Sequence, residues 1–306
     1  MATLTDMMNE VRANLAGYTF QQDRSTYLKT AVTTTTSSSA SPLILSLGST
    51  ESVGKGIIEI DEELMWVDSF DRLANTATVA PYGRGYLGTT AATHTADTQV
   101  VVAPTFPKHI VKKAINDTIR GLGANIFAVK STTFTFSAAR TTYAFNDLNI
   151  KNIIRVSWQS IGPSKEWVPI RRWDFDSTAD TDEFGSGAQT ITLGEFPIPG
   201  RTVQVIYATD PVAFTTNSQD YATQTGLPES TRDVVILGAA YRLLSFLDPA
   251  RAAQTTAQAD EVDAKRPYGS SNSATKQLYA LYTQRLNEEV KAHQQNYPPK
   301  VHFSRR

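Results

Sequence analysis

The chain has 306 residues, enough for one to three domains and a sizeable core. Its 29 basic and 30 acidic residues leave a net charge of −1, which gives no overall argument for binding nucleic acid or acidic membranes. Cysteine is absent, so disulfides, thiolate catalysis and cysteine metal sites are excluded. No apolar run reaches the ~20 residues of a membrane span and no secretory leader begins the sequence, so we expect a folded protein without membrane segments.

The first predicted element is a short amphipathic helix over Thr3–Ala16, with apolar residues at helical spacing and Gly17 as its stop. Its narrow apolar stripe indicates that the helix docks on another element. The Thr- and Ser-rich stretch Ala31–Ser41 fits either a linker or a β-branched edge strand. We favour a strand that enters a loop.

Five short apolar runs without a helical period then predict a small β module. The runs are Leu43–Leu45, Ile57–Ile60, Leu64–Val67, Ala77–Val79 and Gln99–Val102. Within this region lies Gly83–His94, the most distinctive local stretch of the chain. Its glycines fit a phosphate-binding loop, but the Gly-Lys-Ser/Thr ending is missing and no helix clearly follows. We favour a tight turn with a buried, hydrogen-bonded His94.

Pro107 starts a second predicted helix, which has a wide apolar face and ends at Gly121 and Gly123. The opposite face is basic and comprises Lys108, Lys112, Lys113 and Arg120. This face fits contact with phosphate, although a solvated polar face is the ordinary explanation and the one that we favour.

Alternating strand-like runs broken by Gly and Pro fill the next region and predict a β-sandwich or barrel. The runs are Thr132–Phe136, Ile153–Trp158, Trp167–Ile170, Thr190–Leu193 and Val203–Tyr207. An acidic cluster lies between two of them and comprises Asp174, Asp176, Asp180, Asp182 and Glu183. This cluster fits a hard cation but lacks the regular calcium-loop spacing, so a solvated acidic loop over 174–183 is favoured.

A long helix over Leu227–Pro249 is the most strongly marked element, since Pro228 suits a first helical turn and Pro249 is expected to end the helix at Asp248. Its apolar positions run nearly all the way round, which indicates a core helix with several neighbours. The small residues Gly238, Ala239 and Ala240 predict helix packing at which another backbone approaches closely.

Residues Ala250–Arg266 are polar, rich in alanine and compatible with a helix. A last helix, capped by Ser271 or Ser273, follows and carries one apolar face. The face comprises Leu278, Leu281, Tyr282, Leu286 and Val290. The prolines after Tyr297 break this helix and predict an extended C-terminal arm over Tyr297–Arg306, which is either disordered or completed by a partner.

No complete catalytic motif is found. The sequence has no nucleophile elbow, no full phosphate loop and no pair of histidines at metal-ligand spacing. Adjacent carboxylates such as Glu62 and Glu63 point to opposite faces of a strand. We therefore expect no enzyme, no cofactor and no metal, with Asp174 and His94 as the residues to replace if turnover were ever measured.

The order of elements resembles the head-to-tail adaptor, or connector, proteins of tailed bacteriophages. Three segments carry the resemblance: the helix Thr231–Leu244, the stretch Tyr268–Ser271 with the helix Leu278–Val290, and the arm after Pro298 and Pro299. Separately, Glu62–Val67 followed by Gly83–His94 resembles a small β module that recurs in phage virion proteins. The two β blocks depart from the smallest adaptors, which are almost purely helical.

The resemblance implies a structural virion protein, made in the host cytoplasm and located in the neck between capsid and tail. It implies a ring of twelve copies that joins the portal protein to tail or neck proteins while DNA passes transiently through the channel, with no membrane partner. The expected portal-docking residues lie in the arm: Tyr297, Pro298, Pro299, Val301, Phe303, Arg305 and Arg306. Lys112 and Lys113 are expected on a solvated face or at a subunit contact.

The expected fold is α+β, with a helical adaptor-like core and two inserted antiparallel β modules, the second sandwich- or barrel-like. The expected helical core comprises residues 1–30, 104–130 and 222–296, the small β module 31–103, the sandwich or barrel module 131–210 and the arm 297–306. The alternatives are a tail or baseplate subunit, or a glycan-binding module that uses Trp158, Trp167 or Trp173.

Overall fold

The structure is a computed structural model that describes residues 2–18, 23–145, 149–161, 165–179, 189–252 and 270–298, with the backbone alone at 246–252 and 270–273. The described chain is a mixture of α and β structure. Its helices are α1 Leu4–Ala16, α2 Lys108–Leu122, α3 Tyr221–Thr225, α4 Arg232–Ala252 and α5 Ser270–Asn296. Short 3₁₀ turns lie at Tyr86–Gly88 and Glu229–Thr231. The stops predicted at Gly17, Gly123 and the arm prolines are confirmed.

The strands of the first half are β1 Arg24–Tyr27, β2 Ile44–Ser46, β3 Gly56–Ile60, β4 Glu63–Asp71, β5 Thr76–Val79 and β6 Gln99–Val102. Those of the second half are β7 Ala128–Thr135, β8 Thr142–Ala144, β9 Ile150–Gln159, β10 Trp167–Pro169, β11 Trp173–Asp176, β12 Thr190–Leu193 and β13 Thr202–Thr209. Every apolar run predicted as a strand is confirmed. Strands β1, β8 and β11 were not predicted, because they are short and contain no continuous apolar run.

The chain divides into two compact units, and the first, here called the sheet unit, comprises Thr5–Ile115 and Ile236–Ala280. It contains a six-stranded antiparallel sheet in the order β1-β6-β3-β4-β5-β2. Alternate side chains of these strands form one buried cluster, which includes Ile58, Ile60, Met65, Val67 and Val100. The even spacing of these apolar residues is what makes the strands bury one face.

The strand predicted within Ala31–Ser41 is wrong. Only Val32 forms a β-bridge, in which its N–H donates to the carbonyl of His94 at 2.8 Å. The buried Ser37 hydroxyl donates to Val79 and accepts from the N–H of Leu43. Because the polar groups of this segment are satisfied one at a time by loops and strand ends, it does not need a ladder.

The second unit, here called the sandwich unit, draws on Met1–Leu4, Asn116–Val235 and Leu281–Arg306. It contains a four-stranded antiparallel sheet, β10-β9-β13-β7, and a three-stranded sheet, β11-β12-β8. Side chains from both sheets share one core that includes Tyr143, Val156, Ile191, Val203 and Val205. Two sheets over one core fit the sandwich alternative of the predicted β-sandwich or barrel.

Helix α4 is apolar around most of its circumference, as predicted, and its buried residues include Val234, Val235, Ala239 and Leu243. Gly238 is buried with them. The predicted helix end at Asp248 is wrong, because α4 continues to Ala252. Pro249 lies in the last turn, where a missing N–H removes a single intrahelical hydrogen bond close to the frayed end.

The small residues of α4 lead to a test of close packing. We expect Gly238→Leu to overpack the buried helix and lower the free energy of unfolding by ~1–3 kcal/mol, measured by chemical denaturation. Gly54→Leu is the matched control, since a Cβ added at Gly54 meets nothing within 4 Å. An unchanged free energy of unfolding for Gly238→Leu would show that the packing around this buried glycine has room for a larger side chain.

Candidate functional site

The tight turn between β3 and β4 carries four carboxylates, and we call Glu59–Glu63 the acidic hairpin. Ile60 pairs with Glu63, so Asp61 and Glu62 form the turn itself. Asp61 has a φ of 55°, in the left-handed region that aspartate tolerates better than most residues. Together the four carboxylates bind the Gly83–His94 loop, α1 and α2.

Glu63 is one of two almost fully buried carboxylates in the acidic hairpin, the other being Glu59. Its carboxylate accepts five hydrogen bonds from the described residues of the Gly83–His94 loop. They come from Arg84 Nε at 2.6 Å and Nη2 at 2.8 Å, the N–H of Gly85 at 3.0 Å, the N–H of Ala92 at 2.9 Å and His94 Nε2 at 2.9 Å. The side chain is 1% exposed, so this set of donors replaces nearly all of its water.

Arg84 also connects Glu63 to a second segment, the chain around Thr34. Besides its two-pronged contact with Glu63, its guanidinium donates to the carbonyls of Thr34 and Ala92. A planar guanidinium suits this role because its donors lie in a fixed fork. The loop, the hairpin and the chain around Thr34 are therefore held by one cation.

His94 lies between two carboxylates of the acidic hairpin. Its Nδ1 is 2.7 Å from Asp61 Oδ2 and its Nε2 is 2.9 Å from Glu63 Oε2. Both ring nitrogens donate when the imidazole is protonated, which matches two carboxylate acceptors. The buried, hydrogen-bonded histidine that the sequence predicted is confirmed, and its two partners are additional findings.

Burial and charge act in opposite directions on these groups. Burial by itself would lower the pKa of His94, but its hydrogen bonds to Asp61 and Glu63 and their negative charges outweigh this and raise the pKa to about 9. Burial would likewise raise the pKa of Glu63, but the bonds from Arg84, His94 and the two backbone N–H groups lower it to about 2. At neutral pH His94 is therefore protonated and Glu63 is ionised.

The other side of the acidic hairpin holds two helices. Glu59 accepts from Arg12 Nη2 of α1 at 2.8 Å and from the N–H of Lys108, the first residue of α2, at 2.6 Å. A carboxylate at a helix N-terminus satisfies an otherwise unpaired N–H and favours the helix dipole. Burial raises the pKa of Glu59, although Arg12 and Lys108 oppose this. Glu62 contacts Lys112 of α2 at 3.3 Å.

The arrangement provides anchorage and leaves little scope for catalysis. Both nitrogens of His94 are engaged by carboxylates, so a protonated ring has no lone pair to offer as a base or a metal ligand. In the ranges that the structure describes, no group of three His, Asp or Glu side chains is placed to hold a metal ion. The favoured interpretation of Gly83–His94 as a tight turn agrees with this geometry.

The anchored loop presents two apolar side chains to solvent. Tyr82 is 88% exposed and Leu87 62% exposed, and both have positive φ, 59° and 54°. Such a backbone is costly for residues with a Cβ and persists only where the surroundings fix it. Here the N–H of Tyr82 donates to Ser37, and the ring of Tyr86 packs 5.3 Å from Trp66. We call Tyr82 and Leu87 the loop patch.

A second apolar surface lies at one end of the sandwich unit. Strand pairing of Val203 with Trp158 and Phe134 brings the loops before β13, after β9 and after β7 to the same end. These loops expose Ile161, Phe196 and Ile198, which we call the end patch. Exposed apolar groups that recur on neighbouring loops are typical of contact surfaces.

The base of the arm is well anchored within the sandwich unit. The ring of His293 on α5 packs edge-on to Phe127 with 4.2 Å between centroids, and the ring of Tyr297 lies 6.2 Å from Phe127. Burial lowers the pKa of His293, which favours the neutral form of the ring. Pro298 is exposed. The remaining predicted docking residues, Pro299, Val301, Phe303, Arg305 and Arg306, lie outside the described residues.

The other sequence candidates are not brought together. Gly238, Ala239 and Ala240 are buried on α4, and Asp174 and Asp176 are exposed on β11, while Asp180, Asp182 and Glu183 lie outside the described residues. Trp158 and Trp173 pack against the sandwich core, and Trp167 is half-buried on β10. Two of the three tryptophans considered for glycan binding thus support the core.

The sequence model of the SU10 adaptor protein family matches residues 87–299, which is more than half of the 306 residues. This chain belongs to the SU10 adaptor protein family. The resemblance to phage head-to-tail adaptors is thereby confirmed, and the protein is a structural adaptor by family. The family match begins at Leu87, so it includes His94 but not Glu63 or Arg84.

A solved structure described as the neck of an empty GTA particle, computed with C6 symmetry, is similar to the adaptor at 16% identity and a TM-score of 0.22. The likeness covers 44% of this chain and 62% of that chain, and a score this low carries no argument about fold or assembly. No curated protein matches the adaptor. Within the described ranges, every helix falls short of the length and apolar character of a membrane-spanning segment.

The acidic hairpin predicts a stability profile with two limbs. Because the folded-state pKa of His94 is about 9, above its ordinary 6.5, its contribution is full below pH 6.5 and is lost as pH rises through about 9. Glu63, with a pKa of about 2 against 4.5, contributes fully above pH 4.5 and loses this as pH falls through about 2. The combined contribution of His94 and Glu63 to the free energy of unfolding is therefore greatest between pH 4.5 and pH 6.5.

Urea denaturation of His94→Gln at several pH values tests this profile. We expect the variant to be less stable than the native chain at pH 6, by roughly 3 kcal/mol at most, and the gap to narrow above pH 9. His109→Gln is the control, since burial lowers the pKa of His109. A gap for His94→Gln that stays constant to pH 10 would contradict the charged state of His94.

Proposed function

We propose that the adaptor forms a ring in the phage neck that joins the portal protein to tail or neck proteins and lets DNA pass. The observation that carries this proposal is the family match over residues 87–299, which includes α2, the whole sandwich and helices α4 and α5. Twelve copies, as expected from the resemblance, would match the symmetry of a portal ring.

A closed ring uses heterologous contacts, in which one surface of a subunit meets a different surface of the next. The loop patch and the end patch supply two distinct apolar surfaces, one in each unit. We propose that both contact neighbouring proteins in the neck. The loop patch suits this role especially, because the acidic hairpin holds its strained backbone in place before any partner binds, which lowers the entropy lost on binding.

The helical layout of the subunit belongs to the same proposal. We infer that residues 1–30, 104–130 and 222–296 act as the adaptor core onto which the β modules 31–103 and 131–210 are inserted. Gly238, Ala239 and Ala240 are the proposed close contact within this core. The arm over 297–306 is the proposed segment that docks on the portal, with Pro298 and Pro299 preventing helix and alternating Val301 and Phe303 suited to strand addition.

We propose that DNA passes through the ring without being bound tightly. The net charge of −1 gives little electrostatic attraction to a duplex, and a channel is served better by indifference than by strong binding. On α2, Lys112 is paired with Glu62 and Arg120 with Asp117. The protein is proposed to act without catalysis or a cofactor.

Electron microscopy of the purified adaptor with and without portal tests the ring. We expect closed rings that stack on portals, and we expect Leu87→Asp and Phe196→Asp to reduce the fraction of adaptor in rings, because each places a charge in an apolar contact. Leu73→Asp is the matched control, since Leu73 is 98% exposed at the β4–β5 turn and belongs to neither patch. Particles that stay monomeric with portal, or rings that bind only at the distal end of tails, would argue against a neck connector and favour a tail or baseplate subunit.

A truncation that ends at Asn296 tests the arm. We expect the shortened subunit to fold but to bind portal rings at least tenfold more weakly in a co-sedimentation assay, because the strand that would be added to the partner is gone. Its circular dichroism spectrum and melting temperature serve as the folding control. Equal portal binding by the two chains would show that the arm is only a frayed tail.

A further inference from the structure

Four arginines lie at the end of the sandwich unit that carries the end patch. They are Arg140, Arg171, Arg172 and Arg201, and we call them the arginine end. The loop Gly194–Arg201, which carries two residues of the end patch, connects the segments on which they lie. On one side the N–H of Phe136 donates to the carbonyl of Arg201 at 2.8 Å, and Arg140 follows in the next turn. On the other side the N–H of Gly194 donates to the carbonyl of Arg172 at 2.9 Å.

The positive charge of the arginine end is largely uncompensated. Arg140, Arg171 and Arg172 are exposed, and Arg201 is half-buried. Among the residues that the structure describes, none of the four guanidinium groups forms an ion pair with a carboxylate. Glu195 is the acid of the connecting loop, and its Oε2 accepts from the backbone N–H of Arg171 at 3.1 Å. Four arginines and one glutamate leave this end with a formal net charge of +3.

The same end exposes bulky apolar side chains. Phe196 is 68% exposed and Ile161 61% exposed, and the ring of Phe196 is fixed beside that of Phe136 with 6.4 Å between centroids. Arginine together with aromatic groups is typical of protein interfaces, whereas contact with a nucleic-acid backbone requires cations and no apolar groups. The arginine end with its end patch therefore fits an acidic protein surface.

Strand β11 of the same unit has the opposite charge. Its Trp173 and Phe175 pack against the sandwich core, so Asp174 and Asp176 alternate onto the outer face, where both are exposed. In the described part of the chain, neither carboxylate forms an ion pair. The sequence Trp173–Gln189 contains five acidic residues and no basic one. We call Asp174 and Asp176, its described exposed acids, the acidic strand.

The charge thus changes sign along one edge of the sandwich unit. Arg172 directly precedes β11 and Asp176 ends it, four residues or about 13 Å further along the strand. A subunit with opposite charges at two separate places can repeat one contact from copy to copy. Such a contact joins two different surfaces, which is the heterologous kind that a closed ring uses.

We propose that the arginine end of one adaptor copy binds the acidic strand of the next copy, with the end patch inside the contact. The proposal rests on the proposed ring and extends it by naming the two surfaces that meet. Planar guanidinium groups suit carboxylate partners, because their donors match the two carboxylate oxygens. Complementary charges align the copies and speed their encounter, while the end patch contributes the burial of apolar area.

Reciprocal charge reversal tests the pairing. One variant carries Arg171→Glu with Arg172→Glu, and the other carries Asp174→Arg with Asp176→Arg. We expect each variant alone to self-associate at least tenfold more weakly than the native chain in sedimentation velocity, because like charges then face each other. An equimolar mixture should recover association and closed rings in electron micrographs, because every arginine end or its reversed form then meets an opposite charge.

Arg155→Glu is the matched control, since Arg155 is exposed in the middle of β9, away from both surfaces, and its reversal should leave association unchanged. Recovery in the mixture also shows that both variants are folded. Native-like rings from each reversed variant alone would overturn the pairing but leave the proposed ring intact. Weak association that the mixture does not restore would likewise overturn the pairing. A native chain that stays monomeric with and without portal would overturn the ring itself and the pairing with it.

Discussion

The sheet unit depends on the fact that a buried carboxylate must be matched by donors. Glu63 is 1% exposed, and removing such a charge from water costs several kcal/mol unless hydrogen bonds and counter-charges replace the solvent. The loop Gly83–His94 meets this demand with one guanidinium, one imidazolium and two backbone N–H groups. Glu59, four residues earlier, makes the same demand on the other side and is met by α1 and α2. A five-residue hairpin thus determines where a loop and two helices lie.

The sequence was informative where a physical signal is local. Apolar runs identified most strands, glycine and proline identified helix ends, and the glycines of Gly83–His94 suggested a tight turn with a buried, bonded His94. Short strands such as β8 and β11 gave no signal, because they are stabilised by pairing with β12 and not by their own composition. The continuation of α4 past Pro249 was missed for a related reason: the rule against proline concerns helix interiors, and one lost bond near an end is tolerated.

The acidic hairpin shows a different limit of sequence analysis. Its four acidic residues are visible at once in the sequence. The charged side chains that bind Asp61, Glu62 and Glu63, however, lie 21 to 50 residues away along the chain. No spacing rule connects such positions, since tertiary folding alone brings them together. The family match begins at Leu87, so the hairpin and most of the sheet lie outside the residues that the family model matches.

The shared acceptor at Glu63 also constrains how the sequence can diverge. Replacing one of Glu63, Arg84 or His94 leaves the others buried with an unmatched charge, so their effects on stability are strongly coupled. A substitution at any one of these three positions is therefore disfavoured unless another of them changes with it. We expect the Glu…Arg…His trio, at separations of 21 and 10 residues along the chain, to outlast the surrounding strand sequences as a fingerprint of this sheet.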